Sequence, residues 1–258
     1  MKIGKVNFEN YTYVLAIINL TPDSFWEESR VSSDRLLFAA ERAIKEGAAV
    51  IDLGAQSTRP GYTEISAEEE IGRLQRPLML IKENFDIPVS VDTYFEKSAR
   101  AALSMGADMI NDIWGLTYDK NMAATIAEYG ASACIMHNAK SPLSGDIWHP
   151  IENFLQKSVN LALNAGIERD KIILDGGIGF AKSKEHNFEL LNGYDRLSSL
   201  GYPLLLGTSR KSMFGGKVGD RLPQTLESTR LAAKKGVLFV RVHDVKENVE
   251  VIKEVYGR

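Results

Sequence analysis

The chain has 258 residues, of which 44% are hydrophobic, and its formal net charge is −3. This length matches the ~250 residues of a single (β/α)8 domain. No apolar run approaches the ~18 residues of a membrane span, and the nearly balanced charge does not favour nucleic acid as a partner. Residues 1–5 lack the apolar stretch of a signal peptide, and a single cysteine, Cys134, excludes an internal disulfide. We therefore expect a cytoplasmic protein with neither a membrane nor a nucleic-acid partner.

In chain order, residues 2–12 alternate weakly around a polar Glu9-Asn10 turn, which predicts a small hairpin that closes the bottom of the fold. Short apolar runs then alternate with stretches of helical periodicity. The predicted strands are 13–18, 49–53, 88–91, 109–110, 132–136, 172–174, 204–206 and 237–240. The predicted helices are 34–46, 66–82, 95–104, 120–129, 151–165, 187–199, 223–235 and 245–256. Ser66 with Glu69 forms a capping box at the start of the second helix.

Each of these eight apolar runs ends at a polar residue. The endings are Asn19, Asp52, Asp92, Asn111, His137, Asp175, Ser209 with Lys211, and Arg241 with His243. Continuous Val/Ile/Leu runs are typical of parallel strands buried on both faces. Eight strand–helix units in series predict an α/β fold, a (β/α)8 TIM barrel that forms a single domain over residues 1–258. An open doubly wound sheet is the alternative, but such sheets commonly carry about five or six strands. In a barrel, the polar residues that follow the strands gather at one mouth.

Four of these residues form a set that suits a flat polar heterocycle. Asp92, Asn111, Asp175 and Lys211 each lie at or just beyond a predicted strand. A carboxylate accepts paired N–H donors of an aminopyrimidinone, and an ammonium donates to a ring nitrogen or carbonyl. Any one of the four could instead be a strand-end cap or a salt-bridge partner. Their common position favours a binding site.

A second set suits a phosphate or pyrophosphate. Arg59 lies beside two hydroxyl residues, Ser57 and Thr58, while Arg241 and His243 lie two residues apart and so face the same side of an extended segment. Arginine binds phosphate oxygens with two parallel hydrogen bonds. The alternative is that each arginine pairs with a surface carboxylate. Four scattered histidines exclude a structural zinc site, so any metal would be Mg²⁺ on oxygen ligands shared with a substrate phosphate.

At nearly every loop, the chain resembles the dihydropteroate synthase family. The segments that carry the resemblance are Ile18-Asn19-Leu20-Thr21-Pro22-Asp23-Ser24-Phe25, Ser57-Thr58-Arg59-Pro60-Gly61, Ser90-Val91-Asp92-Thr93, Ile110-Asn111-Asp112, Met136-His137, Ile173-Leu174-Asp175, Gly177-Ile178-Gly179-Phe180, Ser209-Arg210-Lys211-Ser212 and Arg241-Val242-His243-Asp244. One such segment is weak evidence, but all of them occur here in the family's order.

The resemblance implies a (β/α)8 homodimer that condenses 7,8-dihydropterin-6-ylmethyl diphosphate with 4-aminobenzoate in folate synthesis. Asp92, Asn111, Asp175 and Lys211 would hold the pterin, and Asn19 would contact Mg²⁺. The implied contacts to phosphate and to aminobenzoate are Thr58, Arg59, Phe180 and Ser209 together with the pyrophosphate anchors Arg241 and His243. Of these, Arg59, Lys211, Arg241 and His243 are the expected catalytic residues.

The sequence departs from the common family pattern beside several of these positions. The departures are Gly54-Ala55-Gln56, Asp175-Gly176-Gly177, Asn138-Ala139-Lys140 and Trp26-Glu27-Glu28-Ser29-Arg30. Two other functions stay open at this point. A pterin-binding methyltransferase on the same barrel would not need the pyrophosphate set, and a non-catalytic pterin-binding protein would bind the pterin without turnover.

Overall fold

The computed structural model describes residues 1–20, 30–56 and 63–258, with the side chains of 30–32 excepted. The strands of this part are β1 (Lys2–Ile3), β2 (Val6–Asn7), β3 (Tyr13–Asn19), β4 (Ala48–Gly54), β5 (Val89–Asp92), β6 (Met109–Asp112), β7 (Ser132–Met136), β8 (Ile172–Asp175), β9 (Leu204–Leu206) and β10 (Phe239–Val242). The α-helices are α1 (Arg30–Lys45), α2 (Ala67–Asn84), α3 (Glu96–Ser104), α4 (Met122–Glu128), α5 (Trp148–Ala165), α6 (Lys184–Asn192), α7 (Leu222–Lys234) and α8 (Val245–Tyr256). None of these helices is both long enough and apolar enough to cross a membrane.

Strands β3 to β10 form a closed parallel barrel in which β10 pairs with β3, and a helix follows each strand. The predicted (β/α)8 fold is therefore confirmed. Because the runs of Val, Ile and Leu in these strands are buried on both faces, one side of each strand packs on the helices and the other fills the barrel. All eight carboxyl ends consequently open at one mouth.

The predicted N-terminal hairpin is present, and it covers the opposite end of the barrel. Ile3 and Phe8 pack with Leu15 and Phe239, which fill the lower interior of the barrel. The predicted position of its turn is wrong. Ile3 pairs with Val6, so the chain reverses at residues 4–5, where Gly4 has a φ of 56°. A two-residue hairpin turn favours a residue that tolerates positive φ, as glycine does.

The strands extend further than the apolar runs suggested. Asn19, Asp92 and Asp175 are the last residues of their strands rather than the first residues of loops. Asp52 lies two residues before the end of β4. Strand hydrogen bonds continue through these polar residues because alternate positions point into the barrel, and the upper interior is where the site needs polar groups.

The prediction of one continuous helix over 187–199 is wrong, because the helical path is interrupted at Gly193. Helix α6 begins with the Ser183 side chain accepting a hydrogen bond from the His186 N–H and ends at Gly193. A Cβ at Gly193 would stand 2.6 Å from the Trp148 ring, so the residue at this close contact must be small. The chain continues as a 3-10 helix over Tyr194–Leu200. This change of path brings the Tyr194 hydroxyl to Asp175.

Candidate active site

Strand register brings two of the predicted pterin residues, Asp92 and Asn111, to one level of the mouth with Asn19. Asn19 pairs with Gly54, Gly54 pairs with Asp92, and Asp92 pairs with Asn111 across three neighbouring strand pairs. Asp92 and Asn111 are buried, whereas Asn19 is exposed. Gly54, which has no side chain, leaves open the space between the Asn19 amide and the Asp92 side chain. The row therefore has its buried polar groups inside the barrel and one exposed amide at the rim.

Arg241 bridges two buried carboxylates. Its Nε donates to Asp52 Oδ2 at 2.7 Å, and one terminal nitrogen lies 2.6 Å from the same oxygen and 2.5 Å from Asp92 Oδ2. The Oδ1 atoms of both aspartates are buried and have no hydrogen-bond partner. Burial raises the pKa of Asp92 to about 7, although Arg241 opposes that rise. The predicted pyrophosphate anchor is thus tied to a predicted pterin ligand in this structure.

Asp52 ended one of the apolar runs, but it was not among the predicted site residues. Its position two residues before the end of β4 places it on the same strand face as Gly54. The signal in the sequence was a charged residue inside an otherwise apolar strand. In the structure that strand, β4, pairs with a neighbour on both sides. Such a residue in a barrel interior needs a partner, and the partner is Arg241 from a strand 189 residues away in sequence.

Asp175 is held by the loop that it begins. Its Oδ1 accepts a hydrogen bond from the Gly177 N–H at 2.7 Å and lies 3.0 Å from the Tyr194 hydroxyl. Oδ2 lies on the side of Gly207, 3.8 Å from where a Cβ would stand there. Burial raises the pKa of Asp175, and the charge of Lys211 opposes that rise. The carboxylate therefore has one oxygen fixed by its own loop and the other directed toward the end of β9.

Lys211 lies against the same loop. Its Nζ donates to the Ile178 carbonyl and lies 4.7 Å from the centre of the Phe180 ring. Burial lowers the pKa of Lys211 to about 8, and Asp175 opposes that lowering. Asp175, Phe180 and Lys211 are therefore neighbours, as a shared binding site requires.

Ser209 and His243 are in direct contact. The Ser209 hydroxyl lies 2.9 Å from His243 Nδ1 and also accepts the His243 main-chain N–H at 3.2 Å. The adjacent Arg210 and Asp244 form a second link, with the arginine Nε 3.0 Å from the carboxylate. The loops that follow β9 and β10 are thus joined by two consecutive pairs of residues.

Lys182 and His137 were not predicted as site residues, yet they lie at the same mouth. Lys182 Nζ is 2.9 Å from His137 Nδ1 and donates to the Gly177 and Phe180 carbonyls at 2.9 Å and 3.0 Å. Burial lowers the pKa of His137 to about 3 and that of Lys182 to about 7. The sequence marked His137 as the end of a strand, but no local pattern pairs it with a lysine 45 residues later.

Two predicted site residues, Thr58 and Arg59, lie outside the described residues, as does Phe25. Hydrogen bonds of Gln56 join the residues on either side of 57–62 to each other and to Tyr94. Gln56 accepts a hydrogen bond from the Ile65 N–H at 2.9 Å and donates to the Tyr94 hydroxyl at 2.7 Å. These bonds hold Gln56 and Ile65 beside the loop that follows β5.

The described residues contain no cluster of three or more His, Cys, Asp or Glu side chains that could hold a metal ion. Asn19 offers one exposed amide oxygen at the rim, across Gly54 from Asp92. This donor set fits Mg²⁺, which commonly takes one or two protein oxygens and completes its shell with substrate phosphates and water. It does not suit a metal enclosed by the protein alone.

Comparisons with known proteins place the chain in a family. A family described as pterin binding enzyme matches residues 15–243. The dihydropteroate synthase of Clostridium beijerinckii is 44% identical to this chain and covers 98% of it, with 97% of its own length matched. The chain belongs to the dihydropteroate synthase family. The dihydropteroate synthase of Streptococcus pyogenes serotype M6 is 42% identical with the same two coverages. The family members are transferases of folate synthesis, so the predicted family, function and enzyme class are confirmed.

Solved structures of family members share the whole fold. The Clostridium difficile enzyme, crystallised in the presence of pteroic acid, has a TM-score of 0.94 and 40% identity, and 98% of each chain is covered. The Xanthomonas albilineans enzyme with 4-aminobenzoic acid has a TM-score of 0.90 and 32% identity, over 96% of this chain and 93% of that one. The Yersinia pestis enzyme in a sulfonamide complex has a TM-score of 0.92 and 33% identity, over 100% and 98%.

Proposed function

We propose that this barrel condenses 7,8-dihydropterin-6-ylmethyl diphosphate with 4-aminobenzoate and releases pyrophosphate. The observation that carries the proposal is that the predicted heterocycle-binding residues and the predicted phosphate-binding residues meet at one mouth. Arg241, one of the predicted phosphate-binding residues, lies 2.5 Å from Asp92, one of the predicted heterocycle-binding residues. The relatives crystallised with pteroic acid and with 4-aminobenzoic acid support the two substrates. A methyltransferase that binds only the pterin would not need the phosphate-binding residues.

The pterin would bind deep in the barrel. Asp175 has one oxygen committed to its own loop, so Oδ2 is the atom that would accept N–H donors of the ring. Asn111, buried on β6, supplies an amide that both donates and accepts. Lys211 would donate to a ring acceptor close to Asp175, where the opposite charge helps to keep it protonated.

Arg241 and His243 would bind the diphosphate. The guanidinium carries five N–H donors, and three of its nitrogen–oxygen contacts are to the carboxylates of Asp52 and Asp92. The rest of its donors are thus available to phosphate oxygens, with Arg59 as a further cation from the loop after β4. Asp52 keeps the guanidinium at the mouth, which preorganises the positive charge where the leaving group develops negative charge.

Mg²⁺, when bound through Asn19 and the diphosphate, would add charge neutralisation at the leaving group. The chain's own residues orient the two substrates and exclude water. The pterin methylene–oxygen bond breaks with its electron pair leaving on pyrophosphate, and the arylamine nitrogen then bonds to the methylene carbon. That nitrogen loses its proton after bonding, so no strong base is needed, and Ser209 and Phe180 serve to orient the aminobenzoate.

We also propose that the protein is a cytoplasmic homodimer. The resemblance to the family implies the dimer, and the single buried thiol of Cys134 fits a reducing compartment. Light scattering of the purified protein tests the dimer, for which a molecular mass close to twice that of one chain is expected. A mass of one chain would contradict it.

The reaction is tested by incubating the protein with both substrates and Mg²⁺. We expect dihydropteroate and pyrophosphate to form in equal amounts. Release of pyrophosphate that does not depend on 4-aminobenzoate would indicate a hydrolase, and binding of the pterin without turnover would indicate a non-catalytic protein. A Lys184→Met variant should react as the wild type does. Lys184 is exposed on the first turn of α6 and is neither a predicted heterocycle-binding nor a predicted phosphate-binding residue.

A further inference from the structure

A lysine that the proposed reaction does not use lies inside the loop after β8. Lys182 Nζ is within 3.0 Å of three acceptors, which are His137 Nδ1, the Gly177 carbonyl and the Phe180 carbonyl. In its ammonium form Lys182 has three N–H donors, so these three contacts use all of them. None of the three acceptors is a carboxylate. Exposed lysines of this chain, such as Lys45 and Lys97, instead pair with glutamates.

The surroundings of His137 favour its role as the acceptor of a hydrogen bond from Lys182. It is buried at the end of β7, and its ring packs edge-on against Phe154 with the ring centres 5.1 Å apart. Burial, with the nearby charge of Lys182, lowers the pKa of His137 to about 3. The imidazole is therefore neutral at physiological pH, with Nδ1 as the acceptor and the proton on Nε2. Lys182 thus joins the end of one barrel strand to the loop of the next.

The loop that Lys182 organises carries two groups of the proposed site. The Gly177 N–H holds Asp175 Oδ1, and the Phe180 ring lies beneath Lys211 Nζ at 4.7 Å. Asp175 has a second contact, with the Tyr194 hydroxyl at 3.0 Å. The position of Phe180 depends more heavily on Lys182, because Lys182 bonds the Phe180 carbonyl directly, whereas Asp175 is also held by the Tyr194 hydroxyl.

We propose that Lys182 is a positioning residue that, through His137 and the Phe180 carbonyl, sets the Phe180 wall of the arylamine pocket. This inference rests on the proposed function, since Phe180 is assigned to that pocket by resemblance. Lys182 itself touches neither substrate. Its role is to hold the wall at the distance that the flat ring of the second substrate requires, and so to set the affinity for that substrate rather than for the pterin.

Steady-state kinetics of Lys182→Met test the proposal, with Lys184→Met as the control from the same loop end. Methionine keeps most of the side chain's length and removes all three donors. We expect the KM for 4-aminobenzoate to rise about tenfold, the scale of a lost charge-assisted hydrogen bond. The KM for the pterin diphosphate and kcat should change by less than about twofold, because a KM effect alone indicates lost binding rather than lost chemistry. An unchanged KM for 4-aminobenzoate, or equal rises in both KM values, would overturn the proposal.

The His137 partner supplies a second test, which applies even where Lys182→Met does not fold. Asparagine can place its amide oxygen close to the position of Nδ1, so His137→Asn should keep the KM for 4-aminobenzoate near the wild-type value. His137→Ala should raise it as Lys182→Met does, and the double variant should add little, as expected for partners in one interaction. Fully additive effects, or no difference between Asn and Ala, would overturn the proposal. Calorimetric affinity for 4-aminobenzoate in the presence of Mg²⁺ and pyrophosphate needs no turnover. An inactive wild type would therefore refute the reaction, while the same order of affinities across these variants would still test the Lys182 link.

Discussion

Ser209 and His243 bond to each other twice. The Ser209 hydroxyl accepts the His243 main-chain N–H at 3.2 Å and lies 2.9 Å from Nδ1 of the same residue. The main-chain donor occupies one lone pair of the hydroxyl oxygen, and we expect the hydroxyl to donate its own hydrogen to Nδ1. A neutral His243 then carries its ring proton on Nε2, and we propose that this N–H donates to a phosphate oxygen. The proposed contacts to aminobenzoate and to pyrophosphate are therefore parts of one unit.

The tautomer of His243 is testable by a pair of amide substitutions. Glutamine places an N–H donor near the position of Nε2, whereas asparagine places one near Nδ1. We expect His243→Asn to weaken Mg²⁺–pyrophosphate binding about tenfold more than His243→Gln, the scale of one hydrogen bond to a charged group. Calorimetric titration with pyrophosphate and Mg²⁺ measures both affinities. Equal losses would contradict the Nε2 assignment.

Asp175→Asn should weaken pterin binding severely. An amide cannot accept from the Gly177 N–H, lie at the Tyr194 hydroxyl and also accept paired N–H donors of the ring with its other atom. We expect a loss of ~2–4 kcal/mol, the scale of a broken buried hydrogen bond to a charged group. Calorimetric affinity for the pterin within about threefold of wild type would show that Asp175 is a structural residue. Asp195→Asn is a control, since Asp195 is an exposed residue with its own lysine partner.

Arg241→Ala should slow turnover about 100-fold, as expected for the loss of a donor that stabilises the leaving group. It also leaves Asp52 and Asp92 buried without their cation, which destabilises a fold by ~3–5 kcal/mol when the pair is fully buried. Thermal melting must therefore accompany the kinetics, and Arg241→Lys retains a charge if the alanine variant does not fold. Arg42→Ala, at an exposed arginine of α1, is the control. If the pterin without its diphosphate lost as much affinity as the diphosphate, Arg241 would be a pterin ligand instead.

Pterin binding should have a maximum between about pH 7 and pH 8. The pKa of Asp92 is raised to about 7, so its carboxylate form is lost as the pH falls through that value. The pKa of Lys211 is lowered to about 8, so its ammonium form is lost as the pH rises through that value. If recognition needs both charges, affinity falls on both sides. Fluorescence titration of the bare pterin at several pH values measures the profile.

Two variants test which residue causes the loss of affinity on each side of that pH profile. Lys211→Arg keeps its charge at high pH, so the loss of pterin affinity at high pH should disappear while the loss at low pH stays. Asp92→Asn should remove the loss of affinity at low pH, together with much of the affinity itself. If the loss of affinity at high pH persisted unchanged in Lys211→Arg, the titrating group would be the pterin or another residue.

Gly177→Ala should destabilise the fold and the site together. Gly177 has a φ of 72°, and a Cβ there would overlap the His137 carbonyl oxygen. The left-handed conformation alone costs ~1–2 kcal/mol in a residue with a side chain, and the overlap adds to that cost. Urea denaturation should show a loss of at least about 2 kcal/mol. Gly219→Ala is the control, because no atom lies within 4 Å of its Cβ position and its φ is not positive. A loss no greater than in that control would mean that the loop adjusts freely.

The order and kind of the barrel elements were predictable because they depend on local patterns. Strand 132–136, strand 204–206 and helix 245–256 lie where periodicity predicted them. A buried parallel strand and an amphipathic helix each leave a repeat in the sequence. The hairpin turn at Gly4 and the break at Gly193 were missed, because each depends on which distant atoms lie against the chain.

The sequence by itself marked the polar residues that end the strands, since such a residue has one mouth to face in a closed barrel. It did not mark Lys182, which lies in a loop. Only the tertiary structure decided which of them touch. The Arg241–Asp52 pair spans 189 residues, and the Lys182–His137 contact spans 45. Such pairs leave no local period, because barrel closure and strand register set the distances between their atoms. A buried charge must find its partner across the fold, and the position of that partner is a property of the closed sheet.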